Sequence, residues 1–473
     1  MTTRAQVNGY RFLLRRYEHA LVRRDIRMLH DPMRSQSRSL LVGAVLGILV
    51  VAGAAILSFL RPQGSIGDSK IVMAKESGAL YAVVDNKLYP VLNLASARLI
   101  TQSNEVPTSV KESKLGDIPR GPLVGIPGAP AALPGSSAGG GSIWTLCDTV
   151  PLSSWGTVTS TGAKSTVIAG RLDTDAAAAQ PLDSAQALLV IREGKTFLLF
   201  DGKRAEVDQG DSVMARSLAL RDYQPRPISA GLLNSTTQVP ALTPPHIDRI
   251  GEPGPGRLSD VPVGGVIRVR GVNSEELYVV LADGVQRVSP FTAQVIRNAN
   301  SQGMSEIITV PPDRLSGIAV LTVLAVEHFP KETPKIVTAQ VAPVGCVSWA
   351  GNASGPAPTV TVLAGREIPL AKTSVPVELA SADGRGDRVD AAYIPPSTGE
   401  YIQVADISPD SARLGTLFYV GDNGVRYGIP DTETATILGL EDKPRLAPWQ
   451  IVGQLVPGPT LATKEALVSH DTL

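Results

Sequence analysis

The stretch from Leu40 to Leu60, LLVGAVLGILVVAGAAILSFL, runs 21 residues without a charged side chain. Wound as an α-helix it is roughly 32 Å long, enough to cross the hydrocarbon core of a bilayer. Arg38 and Arg61 bracket it. A secretory leader has a shorter apolar core, starts nearer the first residue and ends in a small-residue cleavage site. The run is therefore expected to be a permanent transmembrane helix. It splits the chain into a short piece before the membrane and a long one after it.

Charge sets the direction. Residues 1–39 hold nine arginines against Glu18, Asp25 and Asp31, a net +6. The whole chain balances 44 basic against 44 acidic side chains, so the part after the span carries −6. Basic residues beside a span resist translocation. The expected topology is a single pass through the cytoplasmic membrane, with the N-terminus in the cytoplasm and the bulk of the chain outside. An arginine run can serve nucleic acid, but beside a span it is better matched to anionic headgroups. The lipid bilayer is thus an expected partner and nucleic acid is not. In the arm, NGYRFLLRRYEHALVRRDIRMLHDP reads as one basic amphipathic helix, with Asn8 as N-cap. Its apolar stripe is Leu13, Leu14, Tyr17, Leu21 and Met28. Asp31 before Pro32 stops it, and the same pair can open the helix that enters the membrane. Gly43 and Gly47 form a small-xxx-small pair of the kind that lets helices approach closely.

The chain has 45 Gly, 37 Pro and only 4% aromatics, a composition that can mean disorder. The apolar runs are too regular for that. Four stretches resemble one another: LYAVVDNKLYPVLNLASARLI from Leu80, TFLLFDGKRAEVDQGDSVMARSL from Thr196, LYVVLADGVQRVSPFTAQVIRN from Leu277 and LFYVGDNGVRYGIPDTETATILGL from Leu417. Each has a β-rich apolar run, then a turn at Asp85-Asn86, Asp201-Gly202, Asp283-Gly284 or Asp422-Asn423-Gly424. Such pairs supply the positive φ of tight hairpins. A second strand and a segment with helical features follow. Pro-rich tails close three copies, and the third departs with PPDRLSGIAVLTVLAVEHFP.

The turns are 116, 82 and 139 residues apart, and Cys147 and Cys346 fall one in each of the longer gaps. Two chain pieces, 131–186 and 337–410, are therefore expected to form one central β-rich domain. Around it stand repeat 1 (61–130), repeat 2 (187–248), repeat 3 (249–336) and repeat 4 (411–473). Each small βα unit must bury its apolar face on a neighbour. The fold class is α+β: a cytoplasmic helix (1–39), a transmembrane helix (40–60) and an elongated region of four repeats outside the membrane. Two thiols in an oxidising compartment usually pair; two unrelated buried thiols are the alternative. A zinc site would need further ligands at motif spacing.

The order of these features resembles the EccB component of mycobacterial type VII (ESX) secretion systems. The segment QVNGYRFLLRRYEHALVRRDIRMLHDPMRSQSRSL, the span and the RPQG after it carry the closest match, and the repeats and two cysteines extend it over the chain. The resemblance implies a structural core subunit of an inner-membrane secretion complex, with the long region of four repeats in the periplasm. Its implied partners are the EccC, EccD and EccE components, the mycosin protease and further copies of itself. It also implies a disulfide between Cys147 and Cys346, holding a central domain together.

Members of that family are often labelled ATPases, but the residues here give this little support. A phosphate loop needs Gly-x4-Gly-Lys-Ser/Thr after a strand. The nearest stretch, GTVTSTGAKST (156–166), has five residues between its glycines, and Ala163 separates Gly162 from Lys164. The resemblance assigns the motor to EccC. His19, His30, His246, His328 and His470 are scattered, with no His-Glu-x-x-His pattern and no Gly-x-Ser-x-Gly elbow. The Arg-Gly-Asp tripeptide in GRGDRVD (384–390) reads as a solvated loop. No catalytic residue, cofactor or metal is expected. A different class of function is binding to the cell wall, with the repeats gripping peptidoglycan. Sugar sites use aromatic platforms, yet only Trp144, Trp155, Trp349 and Trp449 are present. The first three lie near the central domain and are expected to be buried.

Overall fold

The computed structural model describes residues 3–26, 32–60, 66–136, 141–159, 162–175, 177–271, 275–351, 357–386, 388–408, 413–440 and 443–471. It divides into two units, residues 1–68 with 108–117, and residues 69–107 with 118–473. Helix and sheet are mixed in the α+β manner.

In the first unit, helix α1 (Arg4–Arg23) starts earlier than the sequence suggested, with Thr3 and not Asn8 as its cap. Gln6 explains the shift: its Oε1 accepts the Thr3 backbone N–H at 3.0 Å, the returning half of a capping box. The helix stops at Arg23 because Arg24 turns left-handed at φ 55°, and the Arg24 N–H closes on the Ala20 carbonyl at 2.8 Å. Leu13, Leu14, Tyr17 and Leu21 are exposed along α1. Met28, His30 and Asp31 lie outside the described residues. Helix α2 (Pro32–Leu60) follows, and its segment Arg38–Ile56 is long and apolar enough to cross a membrane. The Cα atoms of Gly43 and Gly47 face open space.

The second unit holds four sheets built on one plan. In the second repeat, Gln186–Arg192, Lys195–Phe200 and Lys203–Glu206 form an antiparallel meander. Helix α4 (Ser212–Ser217) comes next. Arg226–Pro227 then pairs parallel with the first meander strand, and Thr237–Gln238, after α5 (Ala230–Asn234), pairs parallel with the third. The fourth repeat does the same with Gly399–Ala405, Leu414–Gly421 and Val425–Ile429, helix α7 (Thr432–Ile437), and the parallel strands Arg445–Pro448 and Val456–Pro457. In the third the meander is Val266–Arg270, Glu275–Leu281 and Gly284–Val288, followed by α6 (Pro290–Ala299). Ile308–Val310 flanks it on one side and a parallel bridge from Val320 to Val285 on the other. The first has Ile71–Ala74, Leu80–Val84 and Lys87–Val91, then α3 (Leu94–Thr101), with Leu123–Val124 parallel to the third strand.

Each meander thus begins one strand before the hairpin visible in the sequence. Gly399–Ala405, placed by sequence in the second half of the central domain, is the first strand of the fourth sheet. Its opposite faces are both covered, with Tyr401 and Ile402 each buried. A strand buried on both faces lacks the alternation that marks a sheet surface. Each repeat helix is N-capped by a short polar side chain, Asn93, Asp211, Ser289 or Asp431. Asp85-Asn86 and Asp201-Gly202 sit at turns with both φ values positive. The third turn differs: Leu281 pairs with Gly284, so Ala282 and Asp283 make the bend. Gly284 is needed for clearance instead, since a Cβ there would overlap the Ala319 carbonyl oxygen.

Between the repeats lies a seven-stranded sheet. Its order is Val377–Glu378, Ala391–Tyr393, Lys164–Ala169, Ser142–Thr149, Val344–Gly351, Thr359–Gly365 and Gln180–Pro181. Three of these strands precede repeats 2 and 3 in the chain and four follow them. Ser142–Thr149 and Val344–Gly351 lie antiparallel with Cys147 opposite Cys346 and Trp144 opposite Trp349. Repeats 2 and 3 share a core in which Met214, Leu218, Phe291 and Val295 meet, and Asn298 on α6 donates to Ser217 Oγ on α4 at 2.9 Å. Repeats 1 and 4 share another, with Leu99, Tyr419, Tyr427 and Leu438. Arg98 Nη1 donates to the Leu438 carbonyl at 2.5 Å, and Ser469–His470 pairs antiparallel with Leu123–Val124.

Candidate functional site

The disulfide joins Cys147 to Cys346 across directly opposed strand positions, with Cα atoms 4.0 Å apart. Both side chains are fully buried. The residue after Cys147 turns to the other face of the strand, and it is an aspartate. Asp148 is 3% exposed. Its Oδ1 accepts Ser165 Oγ–H at 2.7 Å and its Oδ2 accepts the Ser229 backbone N–H at 2.6 Å. Burial pushes the Asp148 carboxyl pKa up, while the hydrogen bonds from Ser229 and Ser165 and the charge of Arg192 oppose that shift. Arg226 is buried beside it. Desolvation lowers its guanidinium to about 10, and the charge of Asp148 works against that. Its Nη2 donates to the Val337 carbonyl at 3.1 Å.

A second buried carboxylate faces Ser165. Asp390 Oδ2 accepts the Ser165 N–H at 2.7 Å, and Oδ1 accepts the N–H groups of Asp383 and Gly384 at 2.8 and 2.7 Å. Ser165 is thus held through its hydroxyl by Asp148 and through its amide by Asp390. Ser229 caps helix α5 of repeat 2, donating through its backbone to Asp148 and accepting Leu232 N–H at 3.0 Å. The arrangement fixes repeat 2 on the central sheet through hydrogen bonds to a buried carboxyl group, where each such bond is strong and each unmatched group expensive. Sequence reading missed Asp148 and Asp390. The only sequence cue was an acidic residue directly beside apolar ones, Asp148 after Leu146-Cys147 and Asp390 before Ala391-Ala392.

The glycine-rich stretch at 156–166 is placed differently from a phosphate loop. Its residues 160 and 161 lie outside the described residues. Lys164, Ser165 and Thr166 open a strand, not a helix, so they lack the ring of free N–H groups that binds phosphate at a helix start. Lys164 Nζ contacts Glu378 at 2.8 Å. It also lines a cavity of about 550 Å³ with Arg366, Lys372, Ile368 and Val375. His246 is exposed beside Asp248 at 3.2 Å. His328 packs edge-on against Phe329, and desolvation lowers its pKa. A ring nitrogen of His470 lies 2.8 Å from the Gly125 carbonyl. Among the described residues no group of three or more His, Cys, Asp or Glu side chains could hold a metal ion. Asp387 of the Arg-Gly-Asp tripeptide lies outside the described residues.

Trp144 and Trp349 are buried, but Trp155 is 92% exposed, against the sequence expectation. The reason is local. Ser153 Oγ accepts the N–H groups of Trp155 and Thr157, and Ser153 N–H closes on the Thr157 carbonyl. This tight turn holds the indole away from the sheet. Trp449 is partly exposed and stacks on Phe418, with Arg426 5.0 Å from its ring centre.

Among the described residues, one candidate membrane helix, four sheets of common plan and a central sheet stapled by a disulfide define a membrane-associated scaffold. Its conspicuous polar site is a structural joint. Residues 1–473 match the family described as type VII secretion system ESX-1, transport TM domain B, and the chain belongs to this EccB family. It is 37% identical over 477 residues to the Mycobacterium tuberculosis (strain ATCC 25618 / H37Rv) protein named ESX-1 secretion system ATPase EccB1, covering all of this chain and 96% of that one. Among solved structures it is similar to a chain of an intact ESX-5 inner membrane complex, with TM-score 0.74 at 34% identity, covering 100% of this chain and 96% of that one. It is also similar to the EccB3 dimer from the ESX-3 core complex, with TM-score 0.73 at 35% identity, covering 85% of this chain and all of that one.

Proposed function

We propose that this chain is a structural core subunit of a type VII secretion complex of the inner membrane. The observation that carries the reading is its full-length likeness to a chain of an intact ESX-5 inner membrane complex. Residues 1–39 stay in the cytoplasm, residues 40–60 anchor the chain, and the second unit lies in the periplasm. There it associates with further copies of itself, an arrangement supported by its likeness to a dimer from an ESX-3 core complex. The EccC, EccD and EccE components and the mycosin protease are the proposed neighbours, with EccC as the motor. The domains are repeat 1 (61–130), repeats 2 and 3 (187–336) and repeat 4 (411–473) around 131–186 and 337–410, with Gly399–Ala405 moved to the fourth repeat. Purification of the tagged full chain in mild detergent tests this: a large complex containing those components is expected, and a monomer under every gentle condition refutes it. Protease added to intact spheroplasts should cut the second unit and spare the arginine-rich arm; the reverse pattern overturns the orientation.

Exposed Trp155 favours one additional role, contact with the cell wall, because sugar-binding surfaces stack rings on sugar faces. The full chain should then be retained on insoluble peptidoglycan, and Trp155→Ala should release it. Equal retention of both proteins removes this role.

A further inference from the structure

The third repeat departs from the others where its last strand should be, and the departure leaves an open sheet edge. In every repeat a segment runs parallel to the third meander strand and forms that side of the sheet. In repeat 2 it is Thr237–Gln238, followed after Val239 by Pro240. In repeat 4 it is Val456–Pro457, followed by Gly458 and Pro459. In repeat 1 it is Leu123–Val124, and the strand Ser469–His470 already covers it. Proline removes an edge donor, and a covering strand removes the edge. The third repeat has neither device. From Gly317 to Val326 it reads GIAVLTVLAV, with no proline and no charge.

This segment is held on its inner side. Val285 N–H donates to Ala319 O at 2.8 Å, and Leu321 N–H donates to Val285 O at 2.7 Å. The buried Gln286 side chain accepts Val323 and Leu324 N–H and donates to Leu324 O. The alternation of a strand turns the amide groups of Val320 and Thr322 outward. Val320 is 63% and Val323 67% exposed. Among the described residues no strand pairs with that outer side. Beside it, Leu321, Val323 and Leu324 form one wall of a cavity of about 330 Å³. Its polar rim is His246, Asp248, Arg249 and Asp283, and Arg249 already bonds Asp283 at 2.7 Å. The rim carries two carboxylates against one guanidinium.

We propose that the outer edge at Val320–Val323 binds an extended, apolar segment of a partner protein by strand addition, with one basic side chain of that segment entering the adjacent cavity. Two observations name the occupant's chemistry. The equivalent edge of repeat 1 takes a strand, and the cavity rim has an excess of carboxylate. Strand addition draws affinity from main-chain bonds and selectivity from pockets that take alternate side chains. The inference stands on the repeat geometry and does not depend on the secretion-complex reading.

The test uses the purified full chain in nanodiscs and a fluorescent decapeptide of alternating Val and Thr with a central Lys. Saturable binding is expected, at least tenfold weaker for the same peptide with a central Glu. Val320→Pro removes an outward N–H while leaving both bonds to Val285 in place, and should weaken binding at least tenfold. Val323→Lys, a surface change that puts a cation in the wall of the cavity that takes the peptide's Lys, should do likewise. Unchanged thermal melting of each variant shows that the fold is kept. Absence of saturable binding, equal binding of the Lys and Glu peptides, or binding indifferent to both substitutions overturns the proposal. So does self-association of the chain that both substitutions abolish, since the edge would then serve a second copy.

Discussion

Replacing Cys147 and Cys346 together by alanine should lower the stability of the central sheet by an amount set by chain length. The bond spans a sequence separation of 199 residues, which encloses repeats 2 and 3. The chain-entropy treatment gives about 5 kcal/mol for closing a loop of that size. The bond also holds in register two strands that meet only after that long excursion. The chain offers a local reporter, because Trp144 and Trp349 are directly opposed on those strands and buried. Trp155 is already in water and should change little on unfolding, and Trp449, stacked on Phe418 in the fourth repeat, is replaced by Phe in both proteins so that it does not report. Urea unfolding of the full chain in detergent, followed by tryptophan fluorescence, therefore reads the stapled sheet. The comparison is between midpoints of that transition, since a chain of several domains has no single unfolding free energy. With an m-value of about 3 kcal/mol/M, the midpoint should fall by about 1.7 M. The parent treated with reductant should match the double variant. A shift below about 0.3 M would mean that the sheet's pairing, and not the covalent bond, fixes the two halves, and the reasoning would fail.

Three other outcomes follow from the same fold. Cys147→Ser should leave Cys346 open to alkylation in denatured, unreduced protein, whereas the parent should take up no label under the same conditions. Gly399→Ala should destabilise the chain by about 1–3 kcal/mol, the usual range for overpacking: its Cβ would overlap the ring and hydroxyl of Tyr419, a buried side chain whose hydroxyl donates to the Pro134 carbonyl at 3.1 Å. A thermal shift assay reads this, and an unchanged melting temperature would refute it. Asp431 caps α7, and the Thr434 N–H bond holds its carboxyl pKa below the ordinary value of 3.8. Its contribution is therefore present above pH 3.8 and is lost as pH falls through the depressed value. Asp431→Ala should cost about 1 kcal/mol at neutral pH, and the gap between parent and variant should close in strong acid.

How much of this was legible in the sequence depends on whether a feature is local. The apolar run at Leu40–Leu60 and the turns at Asp85-Asn86 and Asp201-Gly202 declare themselves in a few residues, because span length and positive φ are local demands. The start of α1 was misread since Thr3 and Gln6 compete with Asn8 for the cap, and only the closed Gln6 bond decides. Gly399–Ala405 was misassigned because a strand covered on both faces carries no alternating pattern. Asp148 and Asp390 were invisible for a deeper reason. Their partners Ser229 and Ser165 are 81 and 225 positions away in the chain, and no spacing rule reaches that far. The third repeat teaches the converse. Its altered tail was plain in the sequence, where it looked like a copy that had lost its pattern. In the fold, the same residues keep their place beside Val285 and lack both the prolines of repeats 2 and 4 and the covering strand of repeat 1. Loss of a repeat's protective features at one copy, with its architecture kept, points to a surface in use more directly than any motif in the chain.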